Sequence, residues 1–315
     1  MTNNLTIAAI VPTIGNNNFI VSSLESLLKQ NISFNEIIVF DNSQSDSFKG
    51  TIPTRILDRV SWFKTPERLP CYESWNQAIK CASSDYIFVI GDDDIVLPNL
   101  SQKCFERATK SNISLLKGLT IDHLGNRTGN LPYPKDVEFI SLSDFIEYRT
   151  SNKIATLFPG TLIEVKTFNE LNGYVNSEVS GWAFTDEFFI IRALTNKYKV
   201  SIIEGFCWEY RIHPDQIPVN VDVKGFFIQL DKYINKTKDY GLFNNINLSN
   251  KKNYVRHVSG YLASCLGYSY GRKKDLIQMI IFLIELLKNN KLPPFINISY
   301  LFYRSIKSFF KVFFI

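Results

Sequence analysis

Beyond Glu285 the chain carries no acidic residue, while five basic ones follow: Lys288, Lys291, Arg304, Lys307 and Lys311. Removing those five from 35 basic residues leaves 30, against 30 acidic, so the formal excess of +5 belongs to the C-terminal stretch. A neutral body argues against nucleic-acid binding, which needs a basic patch or stripe. There is no run of 18 uncharged apolar residues, so no spanning helix is expected. The nearest approach, Leu276–Leu287, is interrupted by Gln278 and Glu285. The N-terminus has no basic n-region, so no secretory signal is expected. The five cysteines are scattered without metal or redox spacing and read as reduced thiols of a cytosolic protein. Thr13–Phe19 contains neither Lys nor Arg, which counts against a basic phosphate-binding loop there.

What the chain does have is Tyr86–Pro98, YIFVIGDDDIVLP. Tyr86–Ile90 is apolar and rich in β-branched and aromatic residues, hence a buried strand. It runs into Gly91 and three consecutive carboxylates, Asp92, Asp93 and Asp94. Their mutual repulsion is unfavourable unless a cation or hydrogen-bond donors share the charge. Hard divalent cations take such oxygen ligands, commonly together with substrate phosphates. The alternative is a solvated acidic turn. Further strands are expected at Thr6–Val11, Ile37–Phe40 and Val60–Phe63, and helices at Phe19–Gln30, Cys71–Ala82 and Leu100–Ala108. This alternation predicts an α/β fold with a mostly parallel sheet flanked by helices. The loops after its strands, Pro12-Thr13, Asp41-Asn42-Ser43 and Gly91–Asp94, would then meet at the carboxyl edge. Asp41 suits a ribose or base, or equally an Asx-turn.

In the middle, Ile113–Gly118 and Thr161–Val165 are candidate strands and Gly129–Lys135 a loop. Gly181–Leu194 has helical spacing with Thr185 as N-cap. Asp186 and Glu187 would sit in its first turn, either to complement the dipole or with Asp186 as a general base. Trp182 offers an aromatic face for a sugar. Lys199–Ile203 and Phe206–Ile212 look like two strands, the second ending in Arg211, which suits a phosphate, and His213, a candidate ligand. Residues 222–270 read as helical, with Phe226, Phe227, Leu230, Tyr233 and Ile234 on one helix and Tyr254, Val258, Tyr261, Leu262 and Cys265 on another. In Ser299–Ile315, Arg304, Lys307 and Lys311 form a stripe opposite Phe302, Ile306, Phe309, Phe310 and Phe313, the pattern of an interfacial helix. Packing of that aromatic face on the chain itself or on a second subunit is the alternative, so homo-oligomers stay open.

Five pieces in register, VPTIGNNNFIVSSLESLLKQ, IIVFDNSQSD, WNQAIKCASSDYIFVIGDDDIVLPN, TDEFFIIRAL and YRIHPD, resemble a family 2 glycosyltransferase of the GT-A fold, bacterial O-antigen or capsule type, in particular the abequosyltransferase-like group. The resemblance runs from about Thr6 to Gln216. It implies a Rossmann-like GT-A domain over residues 1–218 and a helical C-terminal region over 219–315. It implies an inverting transfer from a nucleotide-sugar donor to a glycan or lipid-linked acceptor at the inner face of the cell membrane. It places Pro12, Thr13, Asp41, Asn76, Asp92, Asp93 and Arg211 on the donor. Asp92, Asp94 and His213 fall on a Mn²⁺ or Mg²⁺ ion, Asp186 on the catalytic base, and Trp182 and Glu187 on the acceptor. Gly91 stands where the family often has Asp, and Thr185 where it has an acidic residue. Two other classes remain, a nucleotidyltransferase of similar topology and a non-catalytic sugar-binding or assembly protein that keeps the fold.

Overall fold

The computed structural model describes residues 5–15, 18–45, 48–155, 159–176, 184–213, 232–233, 235–237, 239, 247–272, 276–288 and 298–311. By internal contacts the chain forms two compact units. The first is Met1–Ser141, Ile154–Val175 and Thr185–His213; the second is Leu142–Lys153, Asn176–Phe184 and Pro214–Ile315. Two internal segments, Leu142–Lys153 and Asn176–Phe184, thus group with the C-terminal part.

The first unit is built on one sheet. Its path is β3 (Ser61–Lys64), β2 (Glu36–Asp41), β1 (Ile7–Thr13), β4 (Tyr86–Val89), β9 (Thr161–Glu164), β6 (Ile113–Ile121), β10 (Val200–Arg211) and β5 (Ile95–Val96). β7 (Arg127–Asn130) and β8 (Phe139–Ile140) pair at the side with β6 and β10. The segment β3-β2-β1-β4 is parallel throughout. From β9 onward antiparallel pairs enter, at β4–β9, β6–β9 and β10–β5, with β10–β6 parallel. Sequence alternation registers the parallel part well because each strand there is followed by its own helix. It says nothing of β9, which folds back antiparallel beside β4. Ile7–Val11 of β1 and all of β4 are buried apolar runs, as strands covered on both faces must be.

Two features set the carboxyl edge. β4 pairs with β1 only as far as Ile10↔Val89, whereas β1 continues beside β2 through Pro12↔Phe40 and Thr13↔Asp41. Pro12 thus lies past the end of the β4 ladder, where a missing N–H costs no sheet bond. Helix α1 (Ile20–Leu28) buries Ile20, Leu24 and Leu27 as its spacing predicts. It also buries polar groups that the apolar pattern does not reveal. Ser23 Oγ donates to the Gly91 carbonyl (3.1 Å), Ser26 Oγ accepts from Val96 N–H (3.1 Å), and Gln30 bonds both the Leu97 carbonyl and Ser101 N–H. The acidic loop is therefore bracketed by bonds from its flanking backbone, at Gly91 and Val96, to serine side chains of α1.

Where two strands are expected between residues 199 and 212, there is one. β10 runs unbroken, with register shifts against β6 between Ile203 and Trp208. Gly205, at φ +75°, supplies the left-handed residue of that bulge. The bulge mimics a turn in the sequence pattern. Helices α2 (Thr54–Leu57), α3 (Cys71–Lys80), α4 (Leu100–Ala108), α6 (Val165–Glu170) and α7 (Thr185–Thr195) complete the unit, and α5 (Leu142–Thr150) belongs to the second.

In the second unit, α8 (Leu248–Arg272), α9 (Leu276–Lys288) and α10 (Ile298–Lys311) are helical. Phe226, Phe227, Leu230 and Ile234 lie outside the described residues; Tyr233 is buried and shares a 2.7 Å hydroxyl–hydroxyl bond with Tyr254 of α8. The basic tail helix α10 packs on α8 and buries Leu301, Ser305 and Phe309. Of the aromatic face expected to meet a membrane, Phe309 is therefore spent inside the protein and Phe310 stays exposed. The approach is close: a Cβ on Gly267 would collide with the Ser305 carbonyl oxygen. Gly267→Ala should consequently lower stability by about 1–3 kcal/mol, the usual range for overpacking. Urea unfolding checks this, and an unchanged midpoint would mean that the helices do not approach so closely.

Candidate functional site

The edge just described gathers Thr13, Asp41, the triplet Asp92–Asp94, Arg211 and His213 from four separate stretches of sequence, all within the first unit. The triplet does not splay into solvent. Asp94 is completely buried; its Oδ1 accepts the Arg211 N–H (2.9 Å) and its Oδ2 has no hydrogen-bond partner. Asp93 Oδ2 lies 2.9 Å from Nε2 of His213. A carboxylate only accepts, so Nε2 carries the proton. Nδ1 of that ring then holds the lone pair, and it too is buried without a partner. Asp92 Oδ2 accepts from Thr13 Oγ1 at 2.5 Å, and Thr13 Oγ1 accepts from Gly15 N–H.

Arg211 is the cation of this cluster. Its Nε donates to the Asp93 carbonyl (2.8 Å) and its Nη1 to the Asp122 carbonyl (3.3 Å). The guanidinium lies 4.5 Å from the centroid of Phe19, whose ring also stands 5.2 Å from that of His213. Phe19 is thus a wedge that touches both basic side chains, a favourable cation–π arrangement. Its place just ahead of α1 makes it look like an ordinary helix-start residue, so the sequence gives no sign of this contact.

Of the two readings of Asp41, the Asx-turn is formed. Its Oδ1 accepts Ser43 N–H (2.8 Å), closing an Asx-turn, while Oδ2 is buried with no hydrogen-bond partner on a side chain 1% exposed. Asn76, expected on the donor, is engaged by the protein backbone in this structure. Both ends of its amide are taken by the Tyr174 backbone, Nδ2 to the carbonyl (2.7 Å) and Oδ1 from the N–H (2.8 Å). From the other side Arg192, buried in α7, donates to the Leu171 and Gly173 carbonyls. Asn76 and Arg192 therefore clamp the 171–174 turn between them. This gives a physical reason for the Asp186–Arg192 spacing: the arginine moors the helix that carries the aspartate.

Asp186 is partly exposed in the first turn of α7, and its Oδ1 accepts the Glu187 N–H (2.7 Å). Its charge reaches the Cys71 thiol and the Tyr174 hydroxyl, which burial first and Asp186 second push well above their ordinary pKa values. Thr185 does not cap the helix as expected, since its buried hydroxyl has no hydrogen-bond partner. Phe184, immediately before it, takes φ +61°, an uncommon conformation for a bulky residue. Glu187, expected on the acceptor, is only 1% exposed. Trp182 lies outside the described residues.

No group of three or more His, Cys, Asp or Glu among the described residues is arranged to hold a metal ion by itself. The donor set nevertheless fits a cation completed by a second molecule: a buried carboxylate oxygen and a buried imidazole nitrogen, each without a hydrogen-bond partner, and a carboxylate orienting the imidazole in the manner of metal-site outer shells.

A parallel half-sheet continued by antiparallel strands, with carboxylates at the edge of the parallel half, is the GT-A arrangement of nucleotide-sugar enzymes. Residues 8–164 match Glycosyl transferase family 2, so the chain contains a family 2 glycosyltransferase domain. Among curated proteins it is 21% identical, over 90% of its length and 94% of the relative's, to the GalNAc(5)-diNAcBac-PP-undecaprenol β-1,3-glucosyltransferase of Campylobacter jejuni. It is 26% identical, over 76% of its length and 78% of the relative's, to an uncharacterized glycosyltransferase of Methanocaldococcus jannaschii. Among solved structures it resembles S. aureus TarS residues 1–349 in complex with UDP-GlcNAc, with a TM-score of 0.59 at 12% identity, covering 98% of this chain and 90% of that one. Against a longer TarS chain the TM-score is 0.55 at 14% identity, and this chain spans 55% of its length. At these identities the structural likeness concerns the fold.

Asp94 supplies a test that needs no substrate. Burial, then the Asp93 charge, raise its pKa well above the usual carboxylate range, partly offset by the Arg211 N–H. The folded state then holds its proton more tightly than the unfolded chain, so this group's contribution falls as pH rises. Asp94→Asn keeps an oxygen for Arg211 and removes the buried charge. In chelator, the variant should melt above the wild type, by a margin that widens from acid to neutral pH. A variant less stable at every pH would show that the carboxylate is already satisfied in the metal-free protein.

Proposed function

We propose that the protein is an inverting, metal-dependent glycosyltransferase that moves a hexosyl or deoxyhexosyl residue from a nucleotide sugar to a lipid-linked glycan in bacterial surface-polysaccharide synthesis. It would work at the inner face of the cell membrane. The observation that carries this reading is the pair of buried atoms without hydrogen-bond partners, Asp94 Oδ2 and His213 Nδ1, at the edge shared with Thr13 and Asp41. Buried polar atoms without a partner in the protein call for an explanation, and a bound ion is one that both atoms fit. The family match supports the reaction class, and the Campylobacter relative, which acts on an undecaprenol-linked glycan by its name, supports the acceptor class.

In this reading Asp94 and His213, with Asp92 beside them, hold Mn²⁺ or Mg²⁺. When bound, that ion supplies positive charge against the diphosphate leaving group. Asp93 orients His213. Arg211 balances the acidic loop and adds positive charge near the phosphates. Pro12, Thr13 and Asp41 line the nucleoside end, Asp41 offering its buried oxygen to a donor hydroxyl or base. Asp186 accepts the proton of the acceptor hydroxyl as that oxygen bonds to the anomeric carbon. The carbon–oxygen bond to the diphosphate breaks from the opposite face, so the anomeric configuration inverts. One carboxylate suffices for this step; a two-carboxylate hydrolase would need a second acid where the triplet is already tied to Thr13, His213 and Arg211.

Two measurements test the proposal. Nucleoside diphosphates with Mn²⁺ should raise the melting temperature of the wild type, since a ligand stabilises the state it binds; Asp94→Ala should lose that response. No response to any nucleotide would remove the donor reading. Asp186→Asn should keep the nucleotide response and lose about 10²–10⁴-fold in transfer rate, the scale of general base catalysis. Near wild-type turnover would place the base elsewhere. Nucleotide binding without any transfer or donor hydrolysis would instead favour a non-catalytic member of the fold.

A further inference from the structure

The second unit holds a polar cavity of about 450 Å³, within the usual range of small-ligand pockets. Three helices of that unit line it: α5 with Glu147 and Thr150, α8 with Arg256 and His257, and α10 with Tyr300 and Arg304. Spacings of three and four residues keep the α5 pair and the α10 pair each on one helix face. Beside these positions the same helices bury apolar residues, Tyr254, Val255 and Val258 on α8 and Leu301 and Phe309 on α10. Helices packed together ordinarily turn apolar stripes toward one another. Polar stripes from all three around one space are what a polar ligand needs.

We infer that this cavity binds a phosphate or diphosphate group that carries a sugar. Among the described residues that line it, Glu147 is the acid, against Arg256, Arg304 and His257. Tyr300 organises the two arginines: the guanidinium carbon of Arg256 stands 4.4 Å from the centroid of its ring and that of Arg304 6.0 Å. A guanidinium over an aromatic ring is held by its face, and its N–H edge suits bidentate contact with phosphate oxygens. A single carboxylate would occupy one of the two guanidiniums, whereas a phosphate or diphosphate presents oxygens to both. On the α5 side the chemistry differs. Thr150 Oγ1 and Ser151 Oγ donate to the Glu147 carbonyl (3.1 and 2.7 Å), so these hydroxyls face the cavity as acceptors, suited to sugar hydroxyls. The volume leaves room for a sugar beside the anion. The headgroup of a lipid-linked glycan and a soluble sugar phosphate share this chemistry. The cavity has no residue in common with the acidic edge, so the inference does not rest on the donor reading.

The test uses the full chain in excess chelator, which removes metal-dependent diphosphate binding at the acidic edge, and reads affinity by titration calorimetry. The probes are glucose, glucose 1-phosphate, pyrophosphate, and glucosyl diphosphate on a short polyprenyl chain in detergent micelles. The wild type should bind the phosphorylated probes, and glucose about 10-fold more weakly or worse. Arg256→Gln changes an exposed side chain, so its circular dichroism and melting temperature should match the wild type. Its affinity for the phosphorylated probes should fall about 10-fold or more, the scale of a lost charge-assisted hydrogen bond, and Arg304→Gln should do the same. Lys307→Gln removes an exposed charge of α10 outside the cavity and should change affinity less than about 3-fold. Asp94→Ala should bind as the wild type does, and Arg256→Gln should keep the nucleotide–Mn²⁺ thermal response, which separates this inference from the donor reading. Preference for the polyprenyl probe over glucose 1-phosphate identifies a lipid-linked source, and equal affinity a soluble one. No binding of any phosphorylated probe by the wild type, unchanged binding in both arginine variants, or loss of binding in Asp94→Ala would each overturn the proposal.

Discussion

The bond from Arg211 N–H to Asp94 Oδ1 joins residues 117 positions apart, and the acidic edge depends on it. It fixes the end of β10 against the loop after β4 and draws Asp94 wholly out of water. With that tie made, the Arg211 side chain reaches the Asp93 carbonyl, and the chain two residues later brings His213 onto the Asp93 carboxylate. The three aspartates thereby acquire three different partners, Thr13, His213 and Arg211. Adjacent like charges that would otherwise repel are separated by role.

Two supports hold this arrangement from outside. Helix α1 binds the loop through Ser23 and Ser26, so that its flank is polar where it meets the edge and apolar where it meets the core. Elsewhere in the same unit, Asn76 and Arg192 grip the 171–174 turn, and α7 is moored with Asp186 near its start. Rigid elements with short polar tethers are what a site needs if its groups are to be held for a reaction instead of found by fluctuation.

Much of this was legible in the sequence where local signals coincide with long-range structure. Apolar runs ending in Pro12-Thr13, Asp41 and Gly91–Asp94 identify three parallel strands and the edge they share. The resemblance carried the reading to Arg211 and His213. What was not legible is of another kind. β9 inserts antiparallel between β4 and β6, a matter of long-range pairing that no local period encodes. The Gly205 bulge looks like a turn because both demand a left-handed glycine. Asn76 and Glu187 look accessible by position but are taken up by a backbone clamp and by burial, outcomes of tertiary packing. Phe19 acquires its partners only when β10 arrives beside α1. In the tail, amphipathicity was visible, but not that α8 would present Gly267 for Ser305 to pack against.

The orientation of His213 has a consequence for which ion the site would prefer. Because Asp93 accepts the Nε2–H hydrogen bond, the neutral ring keeps its lone pair on the buried Nδ1. An all-oxygen seat is indifferent to the softness of the ion and suits Mg²⁺ and Mn²⁺ alike. One imidazole nitrogen in the set shifts relative affinity away from Mg²⁺ and toward first-row transition ions. In a site that holds a metal, Asp93 would thus bias the choice of ion without itself being a ligand, through the placement of a single proton.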